Sequence, residues 1–510
     1  MGPVSGCYSW GSFANQSPMA DPSADREYAV VPTRYDPGSY TCVRSLSQLG
    51  VGTIVASEKD DVPAAASRFC DRLAILPSAF DDLIAYKDAL VDLAARPEVR
   101  TILPLRSPDP YVFAKYEAEF APHVTLVSPS LERLDRVFDR MRLYEAAVDA
   151  GVPVPETRPL SEVAGSDAAS LTDDVIVKSR YNLLADRYAD VPDPSRVRTV
   201  KSVEHFPAGE RLDAAGLRDR MGHDPIVQEY VEDIGEYVFG ALYDHGEPVA
   251  TFQHRQIRGD SYTGGGGVFR KSCYDTELER VGRALLDELD WHGLACIEYA
   301  KDADTGEYKL IELNPRLWQS LPCAVQAGAD FPAYYWLLAT DRADEIDPAY
   351  RLDVGTHLLY GELGYLGSVV SDDSPLRDRP SLARETLSVV ESCLRSPNFD
   401  NLRFDDPAPF LRGLRHVLAN RLPIDQDAEA EDTDAGAEDP DAGAEDPDVG
   451  VEDPDAGVED PDVGVEDPDA GVENPNAGVE DPTNRTVEPA GDAPTVETEE
   501  HPDRPMERGN

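Results

Sequence analysis

Lysine is scarce in this chain: eight of its 47 basic residues are Lys, and 98 acidic residues bring the net charge to −51 over 510 residues. Such a surface repels phosphate backbones and anionic headgroups, so neither nucleic acid nor a membrane is an expected partner. No apolar run approaches 18 residues, which leaves nothing to span a bilayer. Residues 1–26 lack both a charged n-region and an apolar core, and the V-S-G-C around Cys7 lacks the hydrophobic stretch of a lipoprotein signal. A disordered leader is therefore expected over residues 1–27. The seven cysteines (Cys7, Cys42, Cys70, Cys273, Cys296, Cys323, Cys393) form no C-x-x-C pair and are odd in number, which points to reduced, mostly buried thiols. G-x-S-x-G, H-E-x-x-H, a P-loop G-x-x-x-x-G-K and a kinase H-R-D set are all missing, weakening hydrolase, zincin and P-loop readings.

The acid is unevenly distributed. From Asp425 onward 31 acidic residues stand against Arg485, Arg504 and Arg508, a net charge of −28, and the remainder carries −23. Acid excess paired with Arg in preference to Lys is expected of a salt-adapted cytoplasmic protein. At about 1 M salt the Debye length falls to about 3 Å, so self-repulsion is screened there and returns in dilute buffer. The tail holds a seven-residue repeat, E-D-P-D-A-G-A or a near variant, starting at Glu431, Glu438, Glu445, Glu452, Glu459, Glu466 and Glu473. A Pro and a Gly in almost every unit refute a coiled coil, and a disordered polyanion is expected over residues 425–510. Neither EF-hand spacing nor G-G-x-G-x-D units occur, so no specific calcium site is expected.

Between leader and tail, apolar runs at residues 29–31, 51–56, 73–76, 101–105 and 124–127 alternate with amphipathic stretches, the βαβ rhythm of a doubly wound parallel sheet. Its first turn, P-T-R-Y-D-P-G at residues 32–38, is not G-x-G-x-x-G, which removes the argument for a nicotinamide cofactor. Residues 131–150 read as one helix ended by Gly151, and V-P-V-P at 152–155 forces an extended connection. Strands are expected at 175–178, 199–203, 226–231, 237–243, 248–258, 295–300 and 308–313, with a helix at 277–289. That pattern describes an α+β region rich in antiparallel pairs, followed by mainly helical sequence to about residue 422.

The strongest chemical signal is E-L-N-P-R: Glu312, Asn314 and Arg316 end one strand, and the preceding strand presents Glu298. Two carboxylates and an amide oxygen suit a hard cation such as Mg²⁺, and glutamate flanked by strand formers is disfavoured on structural grounds alone. Lys178 closes the apolar strand V-I-V-K, where it is either an ordinary strand-end lysine or a point charge for phosphate. Gln228, Glu229 and Val231, then Glu236, offer a strand edge for a base and a carboxylate for ribose hydroxyls. Gly264, Gly265 and Gly266, in the T-G-G-G-G segment, are either a hairpin tip or a nest of N–H groups for phosphate. His254, Arg255 and Arg258 precede it as a charge cluster of the kind common on surfaces.

Taken in order, these segments resemble the ATP-grasp superfamily over residues 28–338, most closely its predicted carboxylate-amine ligases or carboligases related to the biotin carboxylase and carbamoyl phosphate synthetase ATP domains. The resemblance implies a parallel α/β pre-ATP-grasp domain (28–130), a two-lobed ATP-grasp domain (131–340), and then a helical extension (341–424). It implies Arg140 and Lys178 on nucleotide phosphate, residues 228–231 as the adenine hinge, Glu236 on ribose and residues 263–267 as a lid. Glu298, Glu312 and Asn314 would bind Mg²⁺ or Mn²⁺. Arg316 would stand beside an acyl phosphate, and Arg255, in the F-Q-H-R segment that also resembles this subgroup, would join it. The implied activity is ADP-forming ligation of a small carboxylate to an amine, and relatives often dimerise. Arg140 stands where lysine is more frequent, residues 186–199 lack the usual glycine-rich stretch, and no M-K-M biotin-attachment sequence occurs. Two other readings remain: a noncatalytic ATP-binding module with a partner-recruiting acidic tail, and a bicarbonate-using carboxylase or carbamoyl-type enzyme.

Overall fold

Buried aliphatic runs near the start of the chain build a parallel sheet of β1 (Tyr28–Pro32), β2 (Gly52–Ser57), β3 (Arg72–Ile75) and β4 (Val99–Ile102), in the order β3-β2-β1-β4. Every residue of β1 and β2 is buried, as a sheet covered on both faces requires. These elements belong to a computed structural model that describes residues 26–164, 171–189, 193, 195–200, 202–421 and 486–487. The expected leader before residue 26 and the acidic repeat lie outside the described residues, as do positions 190–192 and 194 within the segment 186–199. The expected fifth strand, 124–127, does not form. Thr125 donates its N–H to the Arg100 carbonyl (3.1 Å), but its own carbonyl is taken by the Thr101 hydroxyl (2.7 Å) instead of a backbone N–H.

The single helix expected over 131–150 is two, Leu131–Phe138 and Arg140–Asp149. Asp139 between them is extended (φ −91°, ψ 105°), caps the second helix through the Met141 N–H, and holds the Arg180 guanidinium in a fork of 2.8 and 2.7 Å. A carboxylate that both caps a helix and binds an arginine gains more from the break than from one more helical hydrogen bond. The consequence is that Arg140 becomes the first residue of a helix.

Two antiparallel sheets follow. The smaller contains β5 (Thr157–Pro159), β6 (Val175–Lys178), β7 (Val203–Phe206) and β8 (Ile226–Glu229), in the order β5-β8-β6-β7. The larger contains β9 (Asp233–Asp244), β10 (Glu247–Ser261), β11 (Gly264–Cys273), β12 (Gly293–Asp302), β13 (Tyr308–Asn314) and the short β14 (Gly355–His357), in the order β13-β12-β9-β10-β11-β14. β7 starts four residues later than the sequence suggested, and β8 stops before Val231. One face of the parallel sheet (Val30, Ile54) shares a core with Phe239, Tyr243, Trp291 and Ile297. Its other face (Ala29, Val31, Val55) packs with Trp318, Phe331 and Tyr335. The parallel and larger antiparallel sheets therefore stand on common cores.

After residue 340 helices Leu359–Ser371, Leu382–Arg395 and Ala408–Arg421 dominate, as expected. The addition is β14, which pairs with Phe269, Arg270 and Lys271 of β11. All six described cysteines are free, and Cys42, Cys296 and Cys323 are buried. Among the described residues no helix is long and apolar enough to cross a membrane.

Candidate functional site

A cavity of about 570 Å³ lies between the small sheet and one face of the larger one. Twelve of the residues singled out in the sequence line it: Arg140, Lys178, Gln228, Glu229, Val231, Glu236, Gly265, Gly266, Glu298, Glu312, Asn314 and Arg316. Strand alternation explains the convergence, since residues two apart share a face. Glu236, Val238 and Gly240 of β9 pair in register with Ala300, Glu298 and Cys296 of β12, and Glu298 stands directly opposite Glu312 of β13.

Like charges directly opposite across a ladder are destabilising, and burial makes them more so. The surroundings divide the two carboxylates. Arg140, at the start of its helix, donates from Nη2 to Glu312 (2.7 Å) and from Nη1 to the Ser179 carbonyl (2.9 Å), and Asn314 donates to the other Glu312 oxygen (2.6 Å). Burial alone would raise the Glu312 carboxyl, but Arg140, Asn314 and Lys178 outweigh it and hold it below the ordinary carboxylate range. Glu298 shifts the opposite way, raised first by burial and then by the charges of Glu312 and Glu236. Lys178 is 7 % exposed, and its ammonium makes no hydrogen bond or ion pair among the described residues. This ammonium acts on both carboxylates through its charge without touching either, and a point charge of this kind can attract an anion.

The other end of the cavity is the β8–β9 connection. Gln228 is 1 % exposed; its Nε2 donates to the Thr157 hydroxyl (2.8 Å), and its Oε1 is buried without a partner. The Glu229 carboxylate is occupied by Lys309 (2.9 Å) and the Glu156 N–H (3.0 Å), and its own N–H donates to the Glu156 carbonyl (2.8 Å). Glu236 accepts from Gln256 Nε2 (2.5 Å), and burial, then Asp233, push its carboxyl up to about 7. On the glycine hairpin, Gly265 has φ +102°, a conformation that favours glycine, whereas a Cβ on Gly266 would meet the flexible end of Gln319 (Oε1, 2.6 Å), which can move aside.

Two of the singled-out residues fall elsewhere. Gly264 opens β11 beside the turn, paired with Ser261 and outside the cavity wall. Arg255 pairs in register with Tyr237 on the opposite face of the larger sheet, where its Nη2 donates to the Ile234 carbonyl (2.7 Å) and its guanidinium lies over the Tyr237 ring. The residues of β10 in phase with the cavity are His254 and Gln256. Gln256 and Arg377 line the cavity and were missed. Gln256 was open to the alternation argument, once register with Glu236 is considered; Arg377 comes from the helical extension and has no local signal.

The described residues show the mixed architecture that the resemblance implied, a parallel α/β unit followed by two antiparallel sheets with a cavity between them. No family model matches the chain, and no curated protein matches it. Similar solved structures include Rhizobium etli pyruvate carboxylase, 17 % identical with a TM-score of 0.44 over 61 % of this chain and 27 % of that one. The biotin carboxylase domain of Hydrogenobacter thermophilus 2-oxoglutarate carboxylase, in complex with MgADP, ADP and bicarbonate, is 15 % identical with a TM-score of 0.45, covering 61 % of this chain and 69 % of that one. L-amino acid ligase from Bacillus licheniformis is 15 % identical with a TM-score of 0.45, covering 64 % of this chain and 80 % of that one. The chain thus spans about a quarter of the length of the pyruvate carboxylase.

Proposed function

We propose that this chain is an ATP-dependent, ADP-forming ligase that activates a small carboxylate as an acyl phosphate and transfers the acyl group to an amine. The observation that carries the reading is the juxtaposition of Glu298 and Glu312 with Lys178, Arg140 and Arg316 in the cavity whose other end is the β8–β9 hinge. One end offers the unpartnered Gln228 amide oxygen to a base, and the other gathers three cations and two carboxylates around the space left for phosphates.

The donor set fits a hard divalent cation: two carboxylates and an amide oxygen, one carboxyl held below its ordinary range and the other raised by burial and then by its neighbour's charge. Mg²⁺ or Mn²⁺ held by Glu298, Glu312 and Asn314 would neutralise phosphate charge when bound. Arg140 has a double role here. Its bond to Glu312 compensates the carboxylate pair, and the same guanidinium can turn to phosphate, which frees a Glu312 oxygen. In the reaction a substrate carboxylate oxygen attacks the γ-phosphorus, the bond to the β-bridging oxygen breaks, and ADP leaves. The amine nitrogen then attacks the acyl carbon, phosphate departs, and the amine loses a proton to solvent or phosphate. Lys178, Arg140 and Arg316 offset the charge that develops at each stage, and the glycine hairpin shields the phosphates from water.

ADP release from Mg-ATP in molar KCl, with pooled amino acids, small carboxylates and bicarbonate, tests this on wild type and Glu312→Gln. Turnover that requires an amine, a carboxylate and Glu312 supports the ligase. Turnover that requires bicarbonate in place of the other carboxylates transfers the site to carboxylase-type chemistry. Tight Mg-ATP binding without turnover in any pool marks a binding module.

A further inference from the structure

Arg377 reaches the cavity from a segment that none of the sequence motifs includes. It lies between helices Leu359–Ser371 and Leu382–Arg395, in the extension after residue 340. The segment is tied down at both ends. Asp372 accepts from the Ser261 hydroxyl (2.8 Å) through its carboxylate and from the Tyr262 hydroxyl (2.9 Å) through its carbonyl, at the tip of the β10–β11 hairpin that carries the glycines. Five residues on, Arg377 donates from Nε to the Tyr230 hydroxyl and from Nη2 to Asp233, both at 3.1 Å, on the β8–β9 hinge. Between them Ser374 Oγ accepts the N–H groups of Leu376 and Arg377, which folds the intervening residues into a turn.

We infer that residues 372–377 strap the glycine hairpin to the hinge, and that Arg377 is a nucleotide-binding residue whose guanidinium meets the ribose of the bound nucleotide. This rests on the nucleotide reading of the cavity. A guanidinium has five N–H donors in a planar fork. Nε and Nη2 are each engaged on the hinge, and Nη1 has no partner among the described residues. Phosphate is the wrong ligand at this spot, because Asp233 and Glu236 flank the guanidinium and the cations suited to phosphate gather at the other end of the cavity. A sugar hydroxyl is the right one: it can donate to the Glu236 carboxylate and accept from Arg377 at the same time. A ribose, with two adjacent hydroxyls, matches a carboxylate and a guanidinium placed side by side.

The test is calorimetric titration of the full chain with Mg-ATP, Mg-2′-deoxy-ATP and Mg-3′-deoxy-ATP in molar KCl, for wild type, Arg377→Ala and Arg377→Lys, with unfolding midpoints measured in parallel. The expected result is that wild type discriminates against at least one deoxynucleotide, and that Arg377→Ala binds ATP about tenfold more weakly, the loss of one charge-assisted hydrogen bond, with that discrimination shrinking towards unity. Arg377→Lys, which keeps the charge without the fork, should recover part of the affinity. A folded Arg377→Ala that keeps both the ATP affinity and the discrimination of wild type overturns the inference. Wild type that binds no nucleotide overturns the reading of the cavity itself, a different result from the same titration.

Discussion

Replacing Arg140 by Met probes the charge balance of the site most directly. The substitution keeps much of the aliphatic stem and removes two charge-assisted hydrogen bonds, to Glu312 at 2.7 Å and to the Ser179 carbonyl at 2.9 Å. Bonds of this kind contribute about 1.5–3 kcal/mol each where water is excluded. The pair is only partly shielded, with side-chain exposures of 11 % and 24 %, and Asn314 still serves Glu312, so the sum is discounted to about 2–3 kcal/mol. The assay is urea unfolding in molar KCl of wild type, Arg140→Met, Glu312→Gln and the double variant. Because the two side chains share one bond, the cycle should close with a coupling of about 1.5 kcal/mol, whereas independent sites add within about 0.5 kcal/mol. Repeating the unfolding with Mg²⁺ extends the argument. A cation held by Glu312, as proposed, would draw on the oxygen that Arg140 occupies, so Arg140→Met should be stabilised by Mg²⁺ more than wild type, while ATP turnover falls. Additive single effects, together with an identical Mg²⁺ response in both proteins, would refute the claim that Arg140 and a cation answer the same carboxylate pair.

Three other outcomes follow from the same geometry. Glu298 has its carboxyl raised by burial, Glu312 and Glu236, so the folded state holds this proton more tightly than the unfolded chain. The stability linked to it is fully present below the ordinary carboxylate range and is lost as pH rises through the raised pKa. Glu298→Gln should flatten that loss, measured as unfolding free energy against pH without divalent cations, while abolishing Mg-dependent turnover. Gly240→Ala places a Cβ at 2.6 and 2.7 Å from carbons of the Trp318 ring, and overpacking of this kind costs about 1–3 kcal/mol in urea unfolding. Arg255→Ala should leave kcat and the KM for ATP at wild-type values, because Arg255 lies on the face of the larger sheet turned away from the cavity.

The parts of the site legible in the sequence are those where a polar residue interrupts a pattern with a strong period. Glu298 and Glu312 break apolar strands, Lys178 ends one, and period-two alternation then fixes the face each one shares. Arg140 was legible as a residue and illegible as a helix start. Nothing local distinguishes a helix that runs through Asp139 from one that stops there, because the break depends on Arg180, forty-one positions away. Arg255 shows the opposite failure. The resemblance of F-Q-H-R gave it a site role, but one residue of register on β10 separates the cavity face, with His254 and Gln256, from the reverse, and register is set by pairing that the segment itself does not encode.

The extension after residue 340 carries this argument furthest. Its helices could be expected from composition, yet its role depends on β14, three residues whose pairing with β11 no propensity would favour by itself. The pairing is fixed by groups that cannot be left unpaired in the core. Arg270 of β11 and Asp400 are each fully buried and bond at 2.5 Å, and Arg258 of β10 meets Glu362 at 2.8 Å, whose other oxygen bonds His357 of β14 at 2.7 Å. Breaking such pairs by removing one partner costs about 3–5 kcal/mol each, so the extension is anchored to the same hairpin strands that carry the glycines. With the hairpin and the extension fastened together there, the segment at 372–377 runs from the hairpin tip, at Ser261 and Tyr262, to Tyr230 and Asp233, which Arg377 holds. Under the proposed nucleotide reading, this strap would couple the hairpin over the phosphates to the guanidinium at the ribose. This is why a residue with no motif of its own can belong to the site, and why only the tertiary structure reveals it.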